Sequence, residues 1–173
     1  MKAKNQMNIF IVDDNKVFAL ALKADIENAF ETMFIKIYTF ETGEDCMRRF
    51  MQVIPELVIL DYCLNSKTPD AVDGIKVLDW IKNENPETNV IMLTGDDHID
   101  IALKSFKHGA SDYVVKTETQ FEKINYSVLN FLKIKDAKND AKHYKRVVAL
   151  LFICLTLLVG GIIIKQIFYP SLF

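Results

Sequence analysis

The stretch "NIFIVDDN", residues 8–15, places two carboxylates side by side at the end of an apolar run. Residues 9–12 have the character of a buried strand, and Asp13 and Asp14 follow them directly. Like charges at the edge of a hydrophobic core repel each other unless a cation neutralises them. The pair therefore predicts a nearby metal ion or basic side chain, although two acids at this position are also typical of a helix N-terminal cap.

Five short apolar runs recur along the first 132 residues, separated by stretches of helical period. They cover residues 9–12, 34–38, 57–60, 90–93 and 113–115. The runs are rich in branched and aromatic residues and apolar on both faces, as strands of a sheet covered on both sides must be. The alternation predicts an α/β fold with an open, five-stranded parallel sheet and helices on both faces.

Polar side chains follow four of these five runs. They are Asp13, Asp14, Asp61, Thr94 and Lys116. In open parallel sheets, ligands bind beyond the carboxyl ends of the strands, so these groups are expected to lie together. Carboxylate oxygens suit Mg²⁺, which usually takes one or two of them and keeps several waters.

A carboxylate beside bound Mg²⁺ can act as a nucleophile toward a phosphoryl group. Asp61 is the best candidate, because it stands alone at the end of the central run "LVILD", whereas an adjacent pair of acids is better suited to holding metal. The Lys116 ammonium would offset charge on the phosphoryl oxygens, and the Thr94 hydroxyl would donate a hydrogen bond to one of them.

Four motifs, "IVDDN", "LVILD", "MLTG" and "GASDYVVK", occur in an order and spacing that resemble the receiver domain of two-component response regulators. The resemblance covers roughly residues 7–132. It implies a flavodoxin-like fold and phosphorylation of Asp61 by a histidine kinase or phosphotransfer protein. It also implies Mg²⁺ held by Asp14 and Asp61, with Asp13 acting mainly through water and the backbone carbonyl of Cys63 completing the protein ligands.

The same resemblance identifies Thr94 and Tyr113 as the switch pair that reorients on phosphorylation and alters the surface of the fourth helix, fifth strand and fifth helix. The sequence departs from the family pattern in the loop "YCLNSKTPDAVDG", which reaches Gly74 later than is usual and has Leu64-Asn65 in place of Met-Pro. Thr117 stands where a proline normally follows the lysine. The resemblance therefore does not extend to partner choice or to the lifetime of the aspartyl phosphate.

The net charge of −2 hides a partition along the chain. Residues 1–132 carry 14 Lys or Arg and 21 Asp or Glu, whereas residues 133–146, "KIKDAKNDAKHYKR", carry six and two. An acidic globule lacks the clustered cations that a phosphate backbone requires, which argues against direct binding to nucleic acid. The three cysteines have neither metal-ligand spacing nor pairing logic, so free thiols in a reducing cytosol are expected.

Residues 147–164, "VVALLFICLTLLVGGIII", pass without a charged side chain. A helix of this length is about 27 Å long, close to the hydrocarbon thickness of a bilayer. A fully buried core helix is the alternative, but the preceding residues supply only one domain to cover it. More cations precede the span than follow it, which places the N-terminal domain in the cytoplasm. They are Lys138, Lys142, Lys145 and Arg146, against Lys165.

The predicted organisation is a receiver domain over residues 1–132, a basic and helical linker over 133–146, a transmembrane helix over 147–169 and a tail over 170–173. The function predicted first is a response regulator, single-pass in the cytoplasmic membrane, that is not an enzyme and signals to an unknown downstream protein through a changed surface. A pseudo-receiver that docks partners at the membrane without phosphorylation is the alternative. A Mg²⁺-dependent aspartyl-phosphate hydrolase would need a second acid where Cys63 stands.

Thr156 and Gly160 have a spacing that allows two membrane helices to approach closely. The sequence leaves open whether the chain forms a homodimer through this helix, through the surface of the fifth helix, or not at all.

Overall fold

Strands and helices alternate along the chain in the computed structural model, which describes residues 6–64, 72–95 and 99–168. In chain order they are β1 Met7–Val12, α1 Lys16–Ala29, β2 Ile35–Phe40, α2 Gly43–Phe50, β3 Leu57–Asp61, α3 Gly74–Glu84, β4 Asn89–Thr94, α4 Ile99–Lys107, β5 Asp112–Val115 and α5 Gln120–Phe168. Each predicted strand is present, with ends that differ from the predicted ones by at most two residues. Asp61 and Thr94 are the final residues of β3 and β4 rather than the first residues after them.

The five strands form one parallel sheet in the order β2-β1-β3-β4-β5. The chain runs outward from β1 to β2 and then returns past β1 to β3, so the strand order reverses between β1 and β3. This is the flavodoxin-like, doubly wound topology that the sequence predicted. Such a reversal opens a crevice at the carboxyl ends of β1 and β3, where ligands of this fold bind.

The central strand β3 is buried at every position, which explains why its sequence is a continuous apolar run. On one face of the sheet, Phe10 packs against the rings of Tyr38, Phe40 and Phe50. The edge strands β2 and β5 are only partly buried. The core therefore fixes the middle of the sheet, and with it the ends of β1 and β3, most firmly.

Local hydrogen bonds begin α2 and close the turn that follows α4. The Thr42 hydroxyl accepts from the Asp45 N–H and caps α2. Beyond α4, Gly109 adopts a φ of 96°, and the N–H of Ala110 donates to the carbonyl of Ser105, a closure that favours glycine.

Apolar residues spaced three and four apart predict a buried face on a helix, but parts of this pattern in and after α2 and on α4 are exposed. In α2, Cys46 and Phe50 are buried as expected, but the helix ends at Phe50, so Met51 and Ile54 lie outside it and are exposed. In α4 the spacing predicted a helix and the helix is present, yet its large apolar residues face outward. Ile99, Leu103 and Phe106 are 75%, 51% and 49% exposed. On α5, Ile124 and Val128 have the same helical spacing and are both buried.

The chain divides into two compact units, residues 1–129 and 130–173. In the second unit, residues 130–168 are helical, including the segment 133–146. Within Gln120–Gly161, an 18-residue window has a mean hydropathy of 1.8 and no buried residue, so by length and composition this helix is able to cross a bilayer. The finer boundaries at residues 132, 146 and 169 stay predictions.

Candidate functional site

Three buried carboxylates meet at the ends of β1 and β3. Asp13 and Asp14 follow β1, Asp61 ends β3, and these residues are 0%, 8% and 4% exposed. One carboxylate oxygen from each lies within 4.8 Å of the others. The strand register explains the convergence, because Val12 pairs with Leu60 and an aspartate directly follows each of these two residues. Three negative charges at this separation and burial repel strongly.

Lys116 supplies positive charge to this cluster. It follows β5, and its Nζ lies 2.7 Å from Asp13 Oδ2 and 2.9 Å from Asp61 Oδ2. The ammonium also lies over the ring of Phe18, 4.8 Å from the ring centre, and that ring contacts Phe121 of α5. Lys116 therefore links the two aspartates at the ends of β1 and β3 and is itself held by an aromatic side chain of α1.

The protonation of the site reflects this arrangement. Burial raises the pKa of Asp61 to about 6, Lys116 opposes the rise, and the charge of Asp13 adds to it. Burial by itself would lower the pKa of Lys116, but the charges of Asp61 and Asp13 and its hydrogen bonds to them outweigh burial, so this pKa is raised. Lys116 stays cationic, and it neutralises only part of the charge on three acids.

The residues of the cluster fit a hard divalent cation. Asp61 Oδ1 is buried and has no hydrogen-bond partner among the described residues, which is costly for a carboxylate oxygen unless a cation binds it. Three carboxylates and one ammonium leave negative charge for a cation to offset, and all-oxygen donors suit Mg²⁺. Cys63 is exposed two residues after Asp61, and the role of its backbone carbonyl stays a prediction.

Thr94 and Tyr113 lie on β4 and β5, the two strands that are on the opposite side of β3 from β1. Thr94 ends β4 and is fully buried, and Tyr113 lies on β5, half-buried against the hydrophobic core. The β4–β5 register pairs Met92 with Tyr113 and Thr94 with Val115. The structure thus places the Thr94 hydroxyl at the same sheet edge as Asp61, and a paired movement with Tyr113 stays a prediction.

Asp13 and Asp14 do not cap the first helix, which was the alternative that the sequence left open. The side chain of Asn15 accepts from the Phe18 N–H and caps α1. Asp13 instead orders the turn before the helix, because its Oδ1 accepts from the Asn15 N–H while its Oδ2 binds Lys116. Both oxygens of Asp13 are therefore used to fix the site.

Sequence reasoning missed the roles of Phe18 and Gly74. No spacing rule connects Phe18 with a lysine that lies nearly a hundred positions away. Gly74, the first residue of α3, donates its N–H to the Tyr62 carbonyl, and a Cβ at this position would lie 2.2 Å from the Asp61 carbonyl oxygen. The glycine at the end of the long loop was the available signal. It permits α3 to begin directly against the backbone of the candidate nucleophile.

The family profile described as "Response regulator receiver domain" matches residues 9–128, which is more than half of the chain. The chain belongs to this family. The match includes Asp13, Asp14, Asp61, Thr94 and Lys116, the residues that the fold brings to one sheet edge. As a receiver domain it is a signalling domain that takes part in a two-component system, in which an aspartate is phosphorylated by a kinase.

Curated relatives and solved structures agree with this assignment. The regulatory protein LuxO of Vibrio vulnificus is 31% identical over 108 residues, which are 62% of this chain and 22% of LuxO. The receiver domain of a LuxO repressor protein from Vibrio parahaemolyticus has 27% identity and a TM-score of 0.66, over 78% of this chain and 96% of that structure. The BeF3-activated receiver domain of Thermotoga maritima DrrB has 31% identity and a TM-score of 0.61, over 75% and 99%.

The chain spans only about a fifth of the length of the curated LuxO relatives that it matches. The comparisons therefore establish a receiver domain, which the family profile matches over residues 9–128.

Proposed function

We propose that this chain is a membrane-anchored response regulator that receives a phosphoryl group on Asp61 from a histidine kinase or phosphotransfer protein. The observation that supports it best is the convergence of three buried aspartates with Lys116, which contacts Asp13 and Asp61 at 2.7 and 2.9 Å. A structural network alone would not need an unpaired, buried oxygen on Asp61. This oxygen disfavours the pseudo-receiver alternative.

Each residue has a distinct part in the transfer. A carboxylate oxygen of Asp61 attacks phosphorus, a new O–P bond forms, and the bond between phosphorus and the donor atom breaks with its electron pair leaving on the donor. The donor, a phosphorylated imidazole, takes up a proton from solvent as it leaves. Lys116 offsets charge on the phosphoryl oxygens, and the Thr94 hydroxyl donates to one of them. Asp13 keeps Lys116 in position.

Asp14 and Asp61 are the residues that would hold Mg²⁺, with Asp13 acting through water and the Cys63 carbonyl completing the set. Bound Mg²⁺ supplies charge stabilisation for the phosphoryl oxygens. The side chains bring the negative charge and oxygen donors that this ion requires.

The output of the receiver is proposed to be a changed protein-binding surface. On α4, three large apolar side chains, Ile99, Leu103 and Phe106, are exposed, and Tyr126 on α5 is 65% exposed. Exposed apolar patches of this kind are typical of protein–protein contact sites. Tyr113 lies on β5, next in the sheet to β4, so a movement that starts at Thr94 has a short route to this surface.

Membrane anchoring is supported by the second unit. Its helix exposes apolar side chains on all sides, including Leu151, Phe152, Ile153 and Leu155 at 55–64%. Such a surface is costly in water and favourable in hydrocarbon. The cations before the span favour retention of the receiver in the cytoplasm.

Phosphorylation is tested by incubating the purified chain with acetyl phosphate and Mg²⁺ and measuring its mass. The wild type should gain one phosphoryl group, and Asp61→Asn should gain none. Asp100→Asn, on the exposed surface of α4, is the matched control and should be labelled like the wild type. Equal labelling of the wild type and Asp61→Asn would refute the assignment of the phosphoacceptor.

Anchoring is tested by washing membranes from expressing cells with alkaline carbonate. The full chain should stay in the membrane fraction, and a chain truncated after Ala141 should move to the soluble fraction. Identical partitioning of the two chains would contradict a transmembrane helix.

A further inference from the structure

The apolar residues of the segment 133–146 lie on one face of α5. In this otherwise charged and polar stretch they are Ile134, Ala137, Ala141 and Tyr144. Their successive spacings of three, four and three residues match the a and d positions of a heptad repeat. All four side chains are exposed, Ile134 at 56% and Tyr144 at 70%. The stripe is therefore available for a partner helix.

The same seam continues toward the span. Val148, Leu151 and Leu155 follow Tyr144 at spacings of four, three and four residues, and they are exposed at 49–64%. A repeat of 3.5 residues drifts around a straight helix of 3.6 residues per turn and stays on one face only when two helices wind around each other. Residues 148–155 are apolar throughout, so any spacing fits them. Only in residues 134–144 does the heptad spacing distinguish one face of the helix from the others.

Charged residues occupy both flanks of this stripe. Both acids of the segment, Asp136 and Asp140, lie on one flank. The other flank carries Lys138, Lys142 and Lys145. When two identical helices run parallel with two-fold symmetry, the first flank of each meets the second flank of the other.

The heptad positions make this complementarity specific. Asp140 occupies a g position and Lys145 the e position five residues later, which is the pairing that links parallel coiled-coil strands. One heptad earlier, the same g and e positions are occupied by Lys133 and Lys138, which carry like charges. Charge attraction is therefore confined to the half of the segment nearer the membrane.

We infer that α5 pairs in parallel with α5 of a second copy of this chain along the seam from Ile134 to Leu155. The inference rests on the proposed membrane anchoring, because two chains inserted from the same side of one bilayer are held parallel and at the same depth. Ala137 and Ala141 allow the two helices to approach closely. Thr156 and Gly160 lie off this seam, so pairing through them would be a different dimer.

Disulfide trapping in liposomes tests the seam. The full chain with Cys63→Ser and Cys154→Ser is reconstituted into phosphatidylcholine–phosphatidylglycerol vesicles and oxidised with copper phenanthroline. Cys46 stays in place because it is buried. Ala141→Cys, on the seam, should form a cross-linked dimer at least about tenfold faster than Asn139→Cys on the opposite side of the helix, because only seam residues of a coiled coil meet.

Carbonate washing of the same vesicles separates the two proposals. Chains that wash off would overturn the anchoring and the pairing together. Chains that stay in the membrane but cross-link equally at residues 139 and 141, or at neither, would overturn the pairing and leave the anchoring intact.

A charge exchange tests the parallel register. Asp140→Lys in the Ala141→Cys chain places like charges across the seam and should slow cross-linking several-fold. Adding Lys145→Asp restores opposite charges and should restore the rate. A rate unaffected by Asp140→Lys, or one that the second substitution fails to restore, would overturn this register.

Discussion

The Asp61 carboxyl lies between opposing electrostatic influences. Burial raises its pKa, Lys116 lowers it, and Asp13 raises it again, with a result of about 6. A carboxyl of the unfolded chain titrates near 3.9. The folded protein therefore binds this proton more tightly than the unfolded chain does. The free energy of unfolding that depends on Asp61 is fully present below about pH 4 and is lost as the pH rises to about 6.

In metal-free solution, Asp61→Asn should remove this loss of stability with rising pH. At pH 7 we expect the variant to be more stable than the wild type by up to about 3 kcal/mol, and near pH 4 by much less. Urea unfolding in EDTA at several pH values between 4 and 7.5 measures the difference. A difference between the two proteins that does not change with pH would contradict a raised pKa at Asp61.

Lys116→Met should have the opposite effect on stability. The substitution leaves the buried carboxylates of Asp13 and Asp61 without their shared cation, and removal of one partner from a buried ion pair typically costs about 3–5 kcal/mol. We expect the loss to shrink as the pH falls toward 5, because protonation relieves the repulsion between the acids. Urea unfolding in EDTA gives both values, and Lys123→Met, a substitution on the exposed surface of α5, serves as the control.

At the scale of elements, α3 is coupled to the site through one glycine. A methyl group at Gly74 would meet the Asp61 carbonyl oxygen at 2.2 Å and the Tyr62 Cα at 2.8 Å, and these backbone atoms have no rotamer by which to move aside. Either α3 or the end of β3 must shift, and a small displacement of a reacting group is costly.

Gly74→Ala is therefore expected to slow phosphorylation by acetyl phosphate by about tenfold or more, because catalysis depends on accurate placement of Asp61. Lys76→Ala, on the exposed side of the same helix, should leave the rate within about twofold, in keeping with the small effects of surface substitutions. The initial rate of phosphoprotein formation measures both. Equal rates in Gly74→Ala and the wild type would show that α3 does not fix the site.

How far the elements were predictable depends on what each one buries. The strand β3 was found because burial on both faces makes a continuous apolar run. The sequence pattern did not predict the orientation of α4, because the buried residue of this helix is Ser105. The Ser105 hydroxyl donates to the Ile101 carbonyl of the same helix. A polar residue satisfied in this way is invisible to a hydrophobic pattern, while the exposed stripe of Ile99, Leu103 and Phe106 has the period of a core face.

The site itself was largely predictable because topology concentrates it. Parallel strands bring their carboxyl ends to one edge, so the residues at those ends are grouped whatever their separation in sequence. Contacts made by side chains on helices have no such rule. The Phe18 ring under Lys116 is one example, since it depends on how α1 packs beside α5, which the sequence pattern does not specify.

At the scale of the whole molecule, the three cysteine thiols differ in accessibility and can be used to find the side of the membrane on which the receiver lies. Cys63 is exposed, Cys46 is buried with a pKa raised to about 12 by that burial, and Cys154 belongs to the apolar segment. A thiol with so high a pKa is almost entirely protonated at pH 7 and reacts slowly. Cys63 should then be the thiol that a membrane-impermeant maleimide labels in detergent-free solution.

If the receiver lies in the cytoplasm, intact cells treated with this maleimide should show no labelling of the chain, and cells opened before treatment should show about one label for each chain. Cys63→Ser should abolish that label, whereas Cys46→Ser should leave it unchanged. Labelling of the wild type in intact cells would place the receiver on the outer side of the membrane. This would contradict the orientation expected from Lys138, Lys142, Lys145 and Arg146.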